Sequence, residues 1–94
     1  MLSFTPVEFT KVQSKEKDKE ILRIGMIAEL DAISFYEQLA ATTSSPEIKK
    51  VLLSIAKEEK THAGEFEAML HRIDKEQVDE NKKAIKEVQE LTSG

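Results

Sequence analysis

The sequence predicts an all-α fold, an antiparallel two-helix hairpin followed by a shorter C-terminal helix. Three observations predict it. Apolar residues recur at alternating steps of four and three through residues 15–42 and again through 46–74, the period of one helical face. No proline interrupts residues 15–42. The break between the two stretches, Thr42-Thr43-Ser44-Ser45-Pro46, is so short that the second helix must return alongside the first.

Residues 1–14 lack a helical or alternating pattern and include Pro6, so a flexible or loosely docked arm is expected there. Their apolar residues are scattered and no basic run precedes them, which argues against a signal peptide. Helix 1 is expected over 15–42, with Leu22, Met26, Glu29, Ile33, Tyr36 and Ala40 forming one seam. A second apolar row, Ile24, Ala28, Ala32, Phe35 and Leu39, makes this helix apolar over more than half its circumference, beyond what a surface helix needs. Helix 2 is expected over 46–74, with Ser45 as N-cap and Pro46 at the first helical position, where a missing N–H costs nothing. Its seam is Ile48, Leu52, Ile55, Glu59, His62, Phe66, Met69 and Ile73. Asp74 and Gln77 have the spacing of a capping box that opens a more polar helix 3 over 75–91, carrying Val78, Ile85, Val88 and Leu91.

Composition narrows the chemistry. A chain of 94 residues with 34% charged residues and a net charge of −4 fits one acidic domain with no reason to bind nucleic acid. Cysteine is absent, which excludes disulfides and thiolate sites, so any metal must be held by carboxylates and imidazoles. No apolar run reaches the roughly 18 residues a membrane span requires. A cytoplasmic protein is expected.

The seams themselves are interrupted by ligand-type residues. Glu59 and His62 stand three apart, so their side chains project side by side and can converge on one cation. Glu29 lies twelve residues before Ala41, and Glu59 thirteen after Pro46. At about 1.5 Å per residue, both sit about 18–20 Å below the loop, so the hairpin sets Glu29 opposite the pair. A polar residue in a heptad seam can instead fix register, and a buried histidine can merely satisfy a hydrogen bond; for Glu29 taken alone that reading stays open. Two unpaired carboxylates in an apolar seam repel and are costly to desolvate, and a cation removes both problems. Lys57 and Lys60 leave the seam on other faces.

Other polar residues carry weaker expectations. Tyr36 is expected in the core with its hydroxyl hydrogen-bonded, or as a partner standing behind a ligand. His71, nine residues from His62, is expected on the far, solvent-exposed side of helix 2. Asp31, Glu58, Glu65 and Glu67 read as a solvated acidic face that can also guide incoming metal.

Di-iron four-helix bundles of the ferritin type take a Glu from each of two helices and a Glu-x-x-His from each of the other two. This chain supplies half of that set, and a twofold partner would complete it with four carboxylates and two imidazoles. The same partner would cover the second apolar face, which a lone hairpin cannot bury.

Two motifs, Glu29-Leu30-Asp31-Ala32-Ile33-Ser34-Phe35-Tyr36 and Glu58-Glu59-Lys60-Thr61-His62-Ala63, resemble those of the encapsulated ferritin family, and the likeness spans residues 21–73. The resemblance implies a ferritin-like domain over 1–94 whose dimer forms a ferroxidase centre, assembled into a ring-shaped homodecamer inside an encapsulin nanocompartment. By position, Glu29, Glu59 and His62 match the iron ligands, with Glu59 in the bridging place. Tyr36 matches a tyrosine behind the ligands, and Asp31 an acid on the route by which metal arrives. Ala28 stands where many members have another acid of that route, and Phe35 where some have Trp. The implied metal is iron, two ions per dimer interface; zinc, manganese or calcium are possible substitutes, since such sites bind zinc at least as well as iron. No shell-targeting tail is evident at Leu91-Thr92-Ser93-Gly94, as expected of a domain taken from a fusion with the shell protein.

The leading expectation is therefore a ferroxidase that oxidises Fe(II) to Fe(III) for mineral storage. Two others stand beside it. One is a rubrerythrin-like peroxide scavenger, a type that usually has a full four-helix bundle in one chain and often a cysteine-bound iron. The other is a helical assembly module whose Glu29, Glu59 and His62 serve only register or a structural metal.

Overall fold

The computed structural model of the chain describes residues 14–94. Those residues form three helices, α1 (Ser14–Thr42), α2 (Pro46–Ile73) and α3 (Lys75–Thr92), with no strand among them. The arm expected at 1–14 lies outside the described residues, apart from Ser14, which opens α1.

α1 and α2 form the antiparallel hairpin, and the reason for the reversal is local. Thr42 Oγ1 donates back to Gln38 O at 2.8 Å, and the Thr43 N–H reaches Leu39 O at 3.1 Å, which uses carbonyls of the last turn. Ser45 is extended, and its hydroxyl accepts from the Ile48 N–H at 3.2 Å, with Pro46 following as the first helical residue. Both ends of the turn thus have their backbone groups satisfied within a few residues.

The second corner differs from the expected capping box. Asp74 is not part of α2 but stands between the helices at φ −126°, ψ 84°. Its carboxylate accepts from the Gln77 N–H at 3.1 Å, as a cap should. The reciprocal bond is missing because the Asp74 N–H already closes the last turn of α2 on Leu70 O at 2.9 Å. The Gln77 side chain turns forward instead, donating to Asn81 Oδ1 at 2.8 Å. Asp74 is 6% exposed and also pairs with Arg23 Nη2 of α1 at 3.1 Å, so one residue ties all three helices, α1 and α3 through its carboxylate and α2 through its N–H.

α1 packs along the length of α2, whereas α3 meets α2 near this corner and then leaves it. The extents are 47 × 46 × 19 Å, a flat shape in which a helix of α2's 28 residues, about 42 Å long, accounts for one long side. The core is correspondingly thin. Among the described residues Ala40, Ala56 and Leu70 are the buried apolar ones, and no large side chain is fully buried.

The α2 seam divides into two edges. Leu52, Glu59, Phe66 and Ile73, seven apart, are half-buried, whereas in the other row Ile48, His62 and Met69 are exposed and Ile55 alone is half-buried. The expected single seam is thus one edge against α1 and one open edge, because one neighbouring helix covers only part of so wide a stripe. Ile27, Leu30 and Phe35 of α1 are likewise exposed, as are Ile85, Val88 and Leu91 of α3.

Candidate metal centre

Glu29 lies at the middle of α1, and Glu59 and His62 lie at the middle of α2. The hairpin brings the three together: one donor atom from each lies within 4.8 Å of the other two. His62 Nδ1 is 3.4 Å from Glu59 Oε2 and 3.8 Å from Glu29 Oε2. A cation with bonds of about 2.1 Å spans donors up to about 4.2 Å apart, so small rotamer shifts close the set. Glu29 Oε2 is buried and makes no hydrogen bond, the orphan acceptor expected where a cation belongs.

The close approach of the helices at this level depends on a glycine. A Cβ on Gly25 would lie 2.6 Å from Phe66 Cε1. Gly25 is one turn before Glu29, and Phe66 one turn after His62, so the ring fills the notch beside the ligands. Sequence reasoning passed over Gly25, although a glycine inside a helix costs about 1 kcal/mol against alanine and so asks for a packing reason.

The electrostatics follow from crowding. Glu59 alongside, a hydrogen-bond partner once one proton is shared, holds the Glu29 carboxyl above its usual range, and desolvation adds to this. The same sharing holds Glu59 below its usual range, with His62 helping. His62 in turn is raised above the ordinary histidine value, chiefly by its hydrogen bond to Glu59 and then by the charges of Glu59, Glu29 and Glu65. Without metal the cluster holds itself together with protons; a divalent cation can replace them.

The remaining candidates lie elsewhere in the protomer. Tyr36 is half-buried and meets Phe35 edge to face, centroids 5.4 Å apart at 64°. Seven residues beyond Glu29, it stands about 10.5 Å along the axis from that ligand. Asp31 is half-buried and outside the converging set; two residues from Glu29 is about 200° around α1. His71 is not the exposed residue expected. It is half-buried at the α2–α3 corner, with Nε2 at 3.1 Å from Asn81 Nδ2 and 3.7 Å from Glu67 Oε1, because the first turns of α3 stand beside this end of α2 before α3 leaves it. Lys60 pairs with Glu37 at 3.1 Å, away from the ligands.

Comparison with known proteins bears on the fold and the family. The family model described as Rubrerythrin matches residues 20–93. A ferritin-like–encapsulin shell fusion protein of Pyrococcus furiosus is 49% identical over 94 residues, 98% of this chain and 27% of that protein, so the chain spans about a quarter of it. The encapsulin nanocompartment cargo protein EncC of Myxococcus xanthus is 34% identical, over 88% of this chain and 66% of its own length. The crystal structure of the encapsulated ferritin domain from Pyrococcus furiosus superposes with a TM-score of 0.85 at 46% identity, covering 100% of this chain and 96% of that one. The chain therefore belongs to the encapsulated ferritin family, on a fold that the rubrerythrin family model also describes.

Proposed function

We propose that the chain is a ferroxidase whose centre forms between two protomers. The convergence of Glu29, Glu59 and His62 within 4.8 Å carries this reading. One protomer offers two carboxylates and one imidazole, half of a ferritin-type di-iron set, and His62 lies on the open edge of α2 between exposed Ile48 and Met69. A twofold copy seated there doubles the ligands and covers those apolar side chains. Glu59, within reach of both Glu29 and His62, would be the carboxylate shared by two ions, the role that the family resemblance implies for it. With dioxygen as acceptor, two Fe(II) give up two electrons, and one O₂ with two protons becomes one H₂O₂.

In this reading the protein acts as an oligomer, a ring-shaped decamer built from such dimers, inside an encapsulin shell in the cytoplasm, where Fe(III) moves on to mineral. Support for the shell comes from the relatives, a shell fusion and a nanocompartment cargo protein. No helix among the described residues is long and apolar enough to cross a membrane. Tyr36 and Asp31 serve the centre only where a neighbouring protomer brings its own ligands towards them, Tyr36 behind a ligand and Asp31 on the route of metal.

Aerobic mixing with Fe(II), followed by the absorbance of ferric product, tests the reading. Glu59→Ala and His62→Ala each remove one ligand per protomer, two per shared site, and should abolish the rapid phase. Wild-type rates in either variant would remove the catalytic claim. A peroxide-scavenging reading has the rubrerythrin match in its favour, but the sequence contains no cysteine for the second iron often found in that type. A rapid phase with peroxide alone as oxidant would favour it.

A further inference from the structure

The hairpin has a second side, turned away from the ligands. Gly64, two residues after His62, stands about 200° around α2 from it, and Ile27, two before Glu29, about 200° around α1. There a cleft of about 500 Å³ runs between α1, α2 and the start of α3, floored by Met26, Ile27, Leu30 and Leu70. Gly64 continues the row of Glu67 and His71, which line the cleft, by steps of three and four. It is exposed in mid-helix, with nothing within 4 Å of the place where a Cβ would stand. A glycine there weakens α2 against alanine, and unlike Gly25 it makes room for no side chain among the described residues.

α3 carries a surface that matches. Gln77 and Asn81 line the cleft, and steps of four, three and three from Asn81 lead along the same side to Ile85, Val88 and Leu91. These are 62%, 57% and 84% exposed, because α3 has by then left α2. Lys82 and Lys86 border this stripe on one side. The edges of the cleft differ in sign. On α1, Glu20 and Glu37 lie one heptad to either side of Ile27 and Leu30; on α2, Lys57 and Lys60 share the face of Gly64. Lys60 already reaches Glu37 across the cleft at 3.1 Å.

We propose that α3 of a second copy of this chain docks in the cleft, its stripe on Ile27 and Leu30 and its backbone close over Gly64, while the first copy's α3 docks on the second in return. One chain carries both halves of the contact, so a twofold pair satisfies both without a third component. Ile27, Leu30, Ile85, Val88 and Leu91 are exposed in each chain, ten side chains in a pair. At roughly 50–100 Å² of bare apolar surface apiece they supply roughly 500–1,000 Å². With the polar residues around them this approaches the roughly 1,200 Å² at which specific interfaces begin. Charge selects the cleft over a stripe-on-stripe pair of α3 helices. An antiparallel pair would set the Lys82 and Lys86 edges side by side, whereas in the cleft that edge lies against Glu20 and Glu37. The contact does not involve the ligands. Together with a centre shared between protomers it gives each chain two different neighbours, and that step alone rests on the proposed function.

The chain contains no cysteine, so introduced ones report the contact. Metal-free Leu30→Cys chains are mixed in turn with Ile85→Cys, Val88→Cys and Leu91→Cys chains and oxidised. At one of the α3 positions the mixed disulfide dimer should outnumber the homodimers about tenfold, the ratio that about 1.4 kcal/mol of preference gives. Homodimers of the α3 variants in excess would show α3 pairing with α3 and overturn the proposal, as would the absence of a mixed dimer at all three positions. Sedimentation velocity at saturating Co(II), a redox-stable probe, gives a second measure. The wild type should form species larger than a dimer. Gly64→Leu and the double variant Ile85→Glu, Val88→Glu change exposed positions, and should stop at the dimer with wild-type helicity and wild-type Co(II) per chain. Variants that assemble like the wild type would overturn the docking, and so would variants that lose Co(II) together with assembly, since α3 would then belong to the centre itself. A wild type that takes up no Co(II) would remove the centre, and the mixed disulfide would still decide the docking.

Discussion

Gly25 and Phe66 touch where no side chain could stand between them, since a Cβ on Gly25 would come within 2.6 Å of the ring. The contact sets the spacing of α1 and α2 one turn from the ligands on either helix. Gly25→Ala should gain about 1 kcal/mol of helix propensity and lose about 1–3 kcal/mol to overpacking, for a net loss in chemical denaturation. Divalent-metal affinity should fall as well, because the helices part beside the cluster. Adding Phe66→Leu to Gly25→Ala should recover part of both losses, since it removes the ring that the methyl strikes. Additive losses in the double variant would show that the two residues act independently.

How far the sequence carried can be judged from the same helices. The period of α1 and α2 and the Ser45-Pro46 signal were legible because each is a local property. Equal depth below one short loop was enough to place Glu29 against Glu59 and His62. What remained hidden depended on the angle at Asp74. That residue caps two helices at once, and periodicity says nothing about which way α3 turns, so the burial of His71 and the forward reach of Gln77 were missed. The split of the α2 seam into a covered and an open edge was hidden for a related reason: a stripe does not state how many neighbours it has.

The corner gives a second prediction. Asp74→Asn keeps an acceptor for the Gln77 N–H but loses the ion pair with Arg23, whose side chain is 42% exposed. Screening at that exposure limits the pair to about 0.5–1 kcal/mol. Asp74→Ala loses the cap too, a further 0.5–2 kcal/mol or about 1. Urea denaturation should therefore rank the wild type above Asp74→Asn and that above Asp74→Ala. Equal stability of the two variants would show that the cap at α3 contributes nothing.

Acidity should act on the centre with opposite signs in its two states. In the metal-free protein His62 is raised, so its pairing with Glu59 and Glu29 stabilises the fold fully below the unfolded histidine value of about 6.5 and is lost as pH rises through the higher folded value. The depressed Glu59 works the other way, its contribution present above the ordinary carboxylate range and lost as pH falls through its folded value. Metal must displace the His62 proton and any proton shared by the carboxylates. Affinity should therefore climb as pH rises through the His62 range and level off above it. Isothermal titration with Co(II) across pH 5.5 to 8 measures this, as does proton release in lightly buffered solution. A flat profile would mean that His62 is not a ligand.

Metal and assembly should be linked, because the complete site exists only where two protomers meet. Exposed Ile48 and Met69 already favour association, but association of the apo-protein also brings four carboxylates together, two from each chain. Divalent metal relieves that repulsion. At free metal about 100-fold above its dissociation constant, each bound site adds about 2.7 kcal/mol to the associated state, enough to shift a modest dimerisation equilibrium about a hundredfold. Sedimentation velocity of metal-free protein titrated with Fe(II) under anaerobic conditions, or with Co(II), should show larger species appearing with metal. The Glu29→Ala, Glu59→Ala, His62→Ala triple variant should show no response, even if removing buried charge makes it associate more strongly at the outset. Lowering pH in the presence of metal should reverse the shift in the wild type alone, as protons displace the metal. An isolated wild-type monomer that binds two metals with no change in its sedimentation would rule out a centre shared between protomers.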